Sequence, residues 1–493
     1  MAVSDLIVHG HFYQPPRENP FTGVIERQNS AAPFHDWNQR ITAECYTRNT
    51  QSPVLDRDGQ VADKVNNFEH MSFNFGPTLL DYLQKQHPDT YQRILEADRQ
   101  SLLARGHGNA MAQCYNHMIM PLASARDRWT QIVWGLEDFR FRFGRRAEGM
   151  WLPETAVDSA TLDDLVRAGM KFVLLSPTQA KCIRPDDSSK WRDVAEEGAS
   201  ASRPYRCRTA HGTLAVLFYN RPLSQGVAFG HLLSNATNMA GQIAREKDLV
   251  LICNDGESYG HHEPHGDMCM AYLAKRELPQ RNLNLTNPAA FLAKNPPEWE
   301  VQLKPVSSWS CVHGVERWRK ACGCKTGGEE GWNQAWRAPL RAGFDRLRER
   351  LDQIFERLGS ELLSDPWNAR DDYIHLILDK SEAAARAFFE RHDRGGDHKK
   401  ARLLLEMQHY AMLMYTSCAW FFSDLSGLET IQNIGYALRA AQIGEKLAGE
   451  AVDQELRAEL AEAKSNRPEI GSGLDILQRQ AEQAELAAMG ASR

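Results

Sequence analysis

The chain has 493 residues and a net charge of −6, with both signs interspersed along it. That length favours one large domain plus a second over a single small one, and the even charge excludes a basic nucleic-acid surface. No apolar run approaches the roughly 20 residues that span a bilayer, and ten scattered Cys exclude a disulfide-dense scaffold.

The opening Met1-Ala2-Val3-Ser4-Asp5 has no basic region and reads as no secretory signal, so a cytoplasmic, reduced protein is expected. Up to about residue 290, strand-like runs alternate with helical stretches. Strands are predicted at 6–12, 150–152, 171–175, 213–218 and 249–253, and helices around 78–97 and 125–143. Strands separated by helices imply βαβ units and a parallel sheet, and their spread over nearly 300 residues favours a barrel. After the Ala293-Lys294-Asn295-Pro296-Pro297-Glu298 segment the character changes. Phe344, Leu347, Leu351, Ile354, Phe355 and Leu358 recur mostly at spacings of three and four, an amphipathic helix. Long helical stretches follow at about 371–392, 399–423 and 428–449, then a surface helix with a break at Pro468/Gly471/Gly473.

Two carboxylates stand where apolar runs give out. Glu154 closes Gly149-Met150-Trp151-Leu152-Pro153-Glu154, and Asp255 closes Leu249-Val250-Leu251-Ile252-Cys253-Asn254-Asp255. In a parallel barrel the chemistry gathers at the carboxyl ends of strands. A pair of carboxylates facing one pocket suits glycosidic bond cleavage, one protonating the leaving oxygen and one attacking. His9 and His11 end the first strand and, two apart, share a face; they suit either sugar hydroxyls or a metal. Asn67–Pro77 mixes aromatic and polar side chains, fitting a sugar subsite or a helix cap with a staple. His107 and His117 line the cleft or serve turns. Glu257, His261, His262, His265 and Asp267 crowd after Asp255, offering subsite hydrogen bonds or metal donors. Cys311, His313, Cys322 and Cys324 resemble a zinc set in number, but not in the spacing of a common finger. A loop carrying Trp309 and His313 into the cleft is preferred, and no metal or cofactor is assigned.

These motifs resemble glycoside hydrolase family 57, whose members act mostly on α-glucans. The family's first motif, ending His-Gln-Pro, is similar to His9-Gly10-His11-Phe12-Tyr13-Gln14-Pro15, with two aromatic residues inserted before Gln14. The nucleophile motif is similar to Gly149–Asp158, and the acid/base motif to Asn254-Asp255-Gly256-Glu257-Ser258-Tyr259-Gly260-His261-His262. His117 falls in a stretch similar to the second motif. The resemblance implies a (β/α)7 barrel, residues 1–295, and an α-helical domain, 296–493, whose loops at about 305–335 contribute to the cleft. It implies a retaining mechanism with Glu154 as nucleophile and Asp255 as acid/base, their carboxyl groups about 5–5.5 Å apart. Substrate contacts are expected from His9, His11, Gln14, His117, Trp151, Arg221, Glu257, His261, Trp309 and His313, with Arg221 steadying Glu154. The expected partner is an oligo- or polysaccharide, with no nucleic acid and no membrane. Alternatives are a 4-α-glucanotransferase or branching enzyme with the same carboxylates, a metal-dependent deacetylase or amidase using His9, His11 and Asp255, and a carbohydrate-binding pseudoenzyme.

Overall fold

The computed structural model of the chain describes residues 5–281 and 283–491, so the Met1–Ser4 stretch read above lies outside them. It divides into two units. The first comprises Met1–Gln14, Arg27–Cys114 and Phe139–Trp309; the second comprises Pro15–Glu26, Tyr115–Asp138 and Ser310–Arg493.

Seven parallel strands build the first unit: β1 (Asp5–Phe12), β2 (Ser72–Phe75), β3 (Ala112–Gln113), β4 (Met150–Trp151), β5 (Phe172–Leu175), β6 (Gly212–Phe218) and β7 (Leu249–Asp255). β1 lies between β7, with His9 opposite Cys253, and β2, with His9 opposite Ser72. A bridge from Phe73 to Ala110 leads to β3, which pairs with β4, and a bridge from Gly149 to Phe172 leads on to β5. β5 pairs with β6, and Asn220 N–H donates to the Leu251 carbonyl at 2.6 Å to reach β7. The fold is a (β/α)7 barrel.

Strand alternation decides what fills it. Ile7, Met111, Trp151, Phe172, Leu174, Leu217, Tyr219, Leu249, Leu251 and Cys253 meet in one buried cluster, joined by Phe291 of helix Pro288–Lys294. His9 and His11 continue the face of Ile7, and Asp255 continues that of Cys253. The interior is therefore apolar toward the amino ends of the strands and polar toward their carboxyl ends.

Two strands escape the sequence reading. Ser72–Phe75 lies in the stretch taken for a subsite or cap, and Ala112–Gln113 in a polar stretch ahead of a helix. The helix expected over 78–97 is two, Pro77–Gln86 and Pro88–Arg105. Pro88 has no N–H and drives His87 out of the helical region, to φ −137° and ψ 59°. Past residue 295 the chain stays with the first unit, because strand Trp299–Leu303 pairs with Ala180–Pro185. There buried Glu300 accepts from Arg184 Nε at 2.8 Å and Arg208 Nε at 2.6 Å.

Helices dominate the second unit. Arg337–Leu362 buries the whole stripe from Phe344 to Leu358 foreseen in the sequence. Leu428–Ala448 forms as expected, whereas 399–423 divides into His398–Leu413 and Cys418–Phe421. The stretch 371–392 is broken into Pro366–Asp372, Ile374–Leu378 and Glu382–His392, the last begun by Ser381, whose hydroxyl caps Ala384 N–H. Fully buried Arg370 ties the 115–138 excursion to these helices, donating to Asp127 at 2.8 Å and Thr130 at 2.9 Å. Among the described residues no helix is long and apolar enough to cross a membrane.

Behind the mouth, Phe12 points away from the barrel interior into Phe68, Phe75 and Tyr46. Its ring lies against Gly256, where an added Cβ would come within 2.3 Å of two ring carbons. Gly256→Ala is therefore expected to lower stability by about 1–3 kcal/mol through overpacking, read as a fall in the urea midpoint; an unchanged midpoint would show that Phe12 yields freely.

Candidate active site

Glu154 sits in the turn after β4, and its backbone is left-handed (φ 58°, ψ 19°), as is that of Thr155 (φ 50°). Residues with a side chain rarely adopt this conformation, which costs on the order of 1–3 kcal/mol each. The turn is over-determined. Thr155 N–H donates to Leu152 at 2.8 Å and Ala156 N–H to Pro153 at 2.9 Å. Gln179 donates its amide to the Thr155 carbonyl at 2.8 Å and accepts the Thr155 hydroxyl at 2.9 Å. Trp309 then takes hold of Glu154 twice: its backbone N–H reaches the Glu154 carbonyl at 3.1 Å, and its indole N–H reaches Oε2 at 3.0 Å.

Asp255 ends β7 on the interior face. It stays accessible to solvent although protein surrounds it closely, as in a recess. That enclosure pushes its carboxyl well above the usual carboxylate range, and the charges of Glu257 and Glu154 push it further. The two strand-end carboxylates thus share one electrostatic field. Burial raises Glu257 to about 7, although its Oε1 accepts the Tyr46 hydroxyl at 2.6 Å and Tyr13 N–H at 3.2 Å. Gln14 hydrogen-bonds the same pair. Tyr46 closes a π-helical turn, Thr42–Tyr46, a distortion that re-aims side chains.

His9 and His11 stack on Trp151, with ring centroids 5.0 and 4.9 Å away. His9 engages Ser72 Oγ through Nδ1 at 3.0 Å and donates Nε2–H to Asn74 Oδ1 at 3.1 Å. The Asn74 amide donates to His11 Nδ1 at 2.9 Å and to Gln113 at 2.7 Å. Burial takes His9 down to about 3, so it is neutral. With both its ring nitrogens committed to side chains, His9 and His11 are not an open chelating pair. The loop after Asp255 disperses likewise: His261 Nδ1 meets Glu44 at 2.5 Å, and Asp267 accepts from Ser52 at 3.0 Å.

The remaining predicted residues are placed as follows. Arg221, expected beside Glu154, is exposed in the first turn of helix Arg221–Phe229, because Asn220 caps that helix immediately after β6. The Glu154 carboxylate, which Arg221 was expected to steady, takes a hydrogen bond from Trp309. His107 precedes β3 and bonds Glu148, which precedes β4, at 2.8 Å, at the strand ends opposite the carboxylates. His117 belongs to the second unit, buried and left-handed (φ 60°), with Nδ1 2.6 Å from Ser417 Oγ. His313 also lies in the second unit, 3.6 Å from Cys324 Sγ.

Sequence reasoning missed Ser72, Asn74, Gln113, Gln179 and Tyr46 as members of this network. The alternation Ser72-Phe73-Asn74-Phe75 is a strand signal that would have paired Ser72 and Asn74 with His9 and His11. The aromatic residues of that stretch are core. Ser176-Pro177-Thr178-Gln179 fits a capping box, a local signal for Gln179, whereas nothing local marks Tyr46.

The sequence matches the family described as glycosyl hydrolase family 57 over residues 10–304, and a domain of unknown function (DUF3536) over 332–491. Among curated proteins none matches the chain significantly. Solved structures similar in fold include an exo-type maltose-forming amylase from Pyrococcus sp. ST04, 17% identical, with a TM-score of 0.74 over 93% of this chain and 82% of that one. A family 57-type branching enzyme from Pyrococcus horikoshii, 15% identical, superposes with a TM-score of 0.57 over 98% of this chain and 94% of its own. A 4-alpha-glucanotransferase from Thermococcus litoralis, 15% identical, gives 0.53 over 90% and 60%. With more than half its length matched and the same barrel, the chain belongs to glycosyl hydrolase family 57 and is a glycosidase or a closely related glycosyl-transferring enzyme.

Proposed function

We propose that the protein cleaves α-linked glucans by a retaining double displacement, with Glu154 as nucleophile and Asp255 as acid/base. What supports this reading is the placement of two carboxylates at the carboxyl ends of separate barrel strands, with the charge of the first among the causes that push the carboxyl of the second upward. The structural neighbours, an amylase, a branching enzyme and a glucanotransferase, support an α-glucan as substrate.

In the first half, a Glu154 carboxylate oxygen bonds to the anomeric carbon. The glycosidic C–O bond breaks, and the leaving oxygen keeps the electron pair and takes the Asp255 proton. Forming the glycosyl ester removes the negative charge of Glu154. Asp255 thereby loses one of the causes of its raised pKa and becomes the stronger base that the second half needs. Asp255 then takes a proton from water or a sugar hydroxyl, whose oxygen bonds the anomeric carbon and releases Glu154. Water gives hydrolysis, and a sugar hydroxyl gives transfer. The Trp309 indole keeps the Glu154 carboxylate oriented, and neutral His9 keeps its hydrogen bonds at any working pH.

Wild type, Glu154→Gln and Asp255→Asn incubated with maltooligosaccharides and amylose, with products resolved by chain length, test the assignment. Shorter or redistributed chains are expected from wild type, with losses of about 10²–10⁴-fold in Asp255→Asn and at least as large in Glu154→Gln; full activity in either variant would overturn the roles. Trp309→Phe keeps an aromatic ring, smaller than the indole, but removes a hydrogen bond to a charged group, worth about 1.5–3 kcal/mol, so kcat is expected to fall about 10- to 100-fold. A pH–rate profile checks the coupling. Activity should fall as pH rises through the elevated Asp255 pKa, and Glu257→Gln, removing a neighbouring negative charge, should move that limb toward acid by roughly one pH unit. A limb that stays in place would mean that Glu257 does not tune Asp255.

A further inference from the structure

Three cysteines and one histidine of the second unit converge without any role in the chemistry above. Cys311 and His313 lie on one side of a 3-10 turn, Glu316–Trp318, and Cys322 and Cys324 on the other. Their donor atoms all lie within 4.8 Å of one another. With bonds of about 2.3 Å to sulfur and about 2.0–2.1 Å to nitrogen, a tetrahedral zinc site has sulfur–sulfur edges of about 3.8 Å and sulfur–nitrogen edges of about 3.6 Å. Here Cys311 Sγ and Cys322 Sγ are 3.9 Å apart, and Cys324 Sγ and His313 Nδ1 are 3.6 Å apart. We propose that Cys311, His313, Cys322 and Cys324 bind a structural zinc ion as a Cys3His site.

Three further observations fit that assignment. Gly323, between the paired cysteines, has φ 85°, and a left-handed residue there turns the chain within the Cys-Gly-Cys span. Arg337 is fully buried within electrostatic range of all three cysteines. Its acceptors are two neutral carbonyls, of Cys324 at 2.8 Å and Phe422 at 3.2 Å, and its Nε has none. A guanidinium stays charged in proteins, and zinc with three thiolates carries a net negative charge that would balance it. Lastly, the segment between Trp309 and helix Arg337–Leu362 has no regular element but that 3-10 turn. Loops longer than about 12–15 residues without secondary structure are uncommon and usually functional or disordered, and His313, exposed, leaves a route for the ion. The spacing differs from common zinc fingers, which is why the sequence alone argued against it.

The test uses the full chain, purified under reducing conditions from zinc-supplemented medium. About one zinc per chain by elemental analysis is expected, together with thiolate-to-metal charge-transfer and tetrahedral d–d bands after exchange into cobalt. Cys322→Ser/Cys324→Ser should lose both signals, with circular dichroism reporting whether its helices persist; the wild-type cobalt spectrum stands whatever that variant does. Zinc absent from wild type, zinc retained at full stoichiometry in the double variant, or a Cys311–Cys322 disulfide in peptide mass spectra would overturn the proposal.

Discussion

Trp309 holds Glu154 by main chain and side chain at once, and the rest of the first unit is arranged around that grip. Glu154 lies in a conformation that L-residues avoid, so the turn persists only because its neighbours leave no alternative. Gln179 binds Thr155 in both directions, and Trp309 meets Trp151 edge-on at 5.2 Å. Trp151 in turn carries the stacked rings of His9 and His11. A strained backbone, a tryptophan pair and two stacked imidazoles form one support under a single carboxylate.

The opposite carboxylate is governed by charge rather than strain. Enclosure pushes the Asp255 carboxyl upward, and Glu257 and Glu154 supply like charge beside it. Glu257 is itself expensive to bury, and Tyr46, Tyr13 and Gln14 keep it in place with hydrogen bonds. The loop that carries Glu257 is anchored from outside the barrel: the Asn49 amide donates to the Tyr259 carbonyl at 2.7 Å. Glu257, and through it Asp255, thus depends on hydrogen bonds from the Thr42–Tyr46 turn and from the end of β1.

Legibility in the sequence followed apolar content. Five of the seven barrel strands showed as apolar runs, and both carboxylates stood at the ends of such runs. β2 and β3 did not, because their inward residues are Ser72, Asn74 and Gln113, the polar groups that orient His9 and His11. Where the interior turns functional, the pattern that reveals a strand is lost. Tyr46 was invisible because its role depends on a π-helical turn and on a partner in another part of the chain, and the exposure of Arg221 was not legible because it follows from a helix cap at Asn220 that turns the chain immediately after β6.

The pairing of β1 with β7 has a consequence for synthesis. β1 is the first described element, yet His9 pairs with Cys253 across the same span of 244 positions that separates Tyr13 from its partner Glu257. At about 5–20 residues per second, a ribosome needs roughly ten to fifty seconds to supply that partner. Throughout that interval an apolar strand with an unpaired edge has left the ribosome, the kind of segment that recruits chaperones or other nascent chains. The barrel cannot close on its first-made half, so the polar mouth and its apolar floor are completed only when β7 arrives.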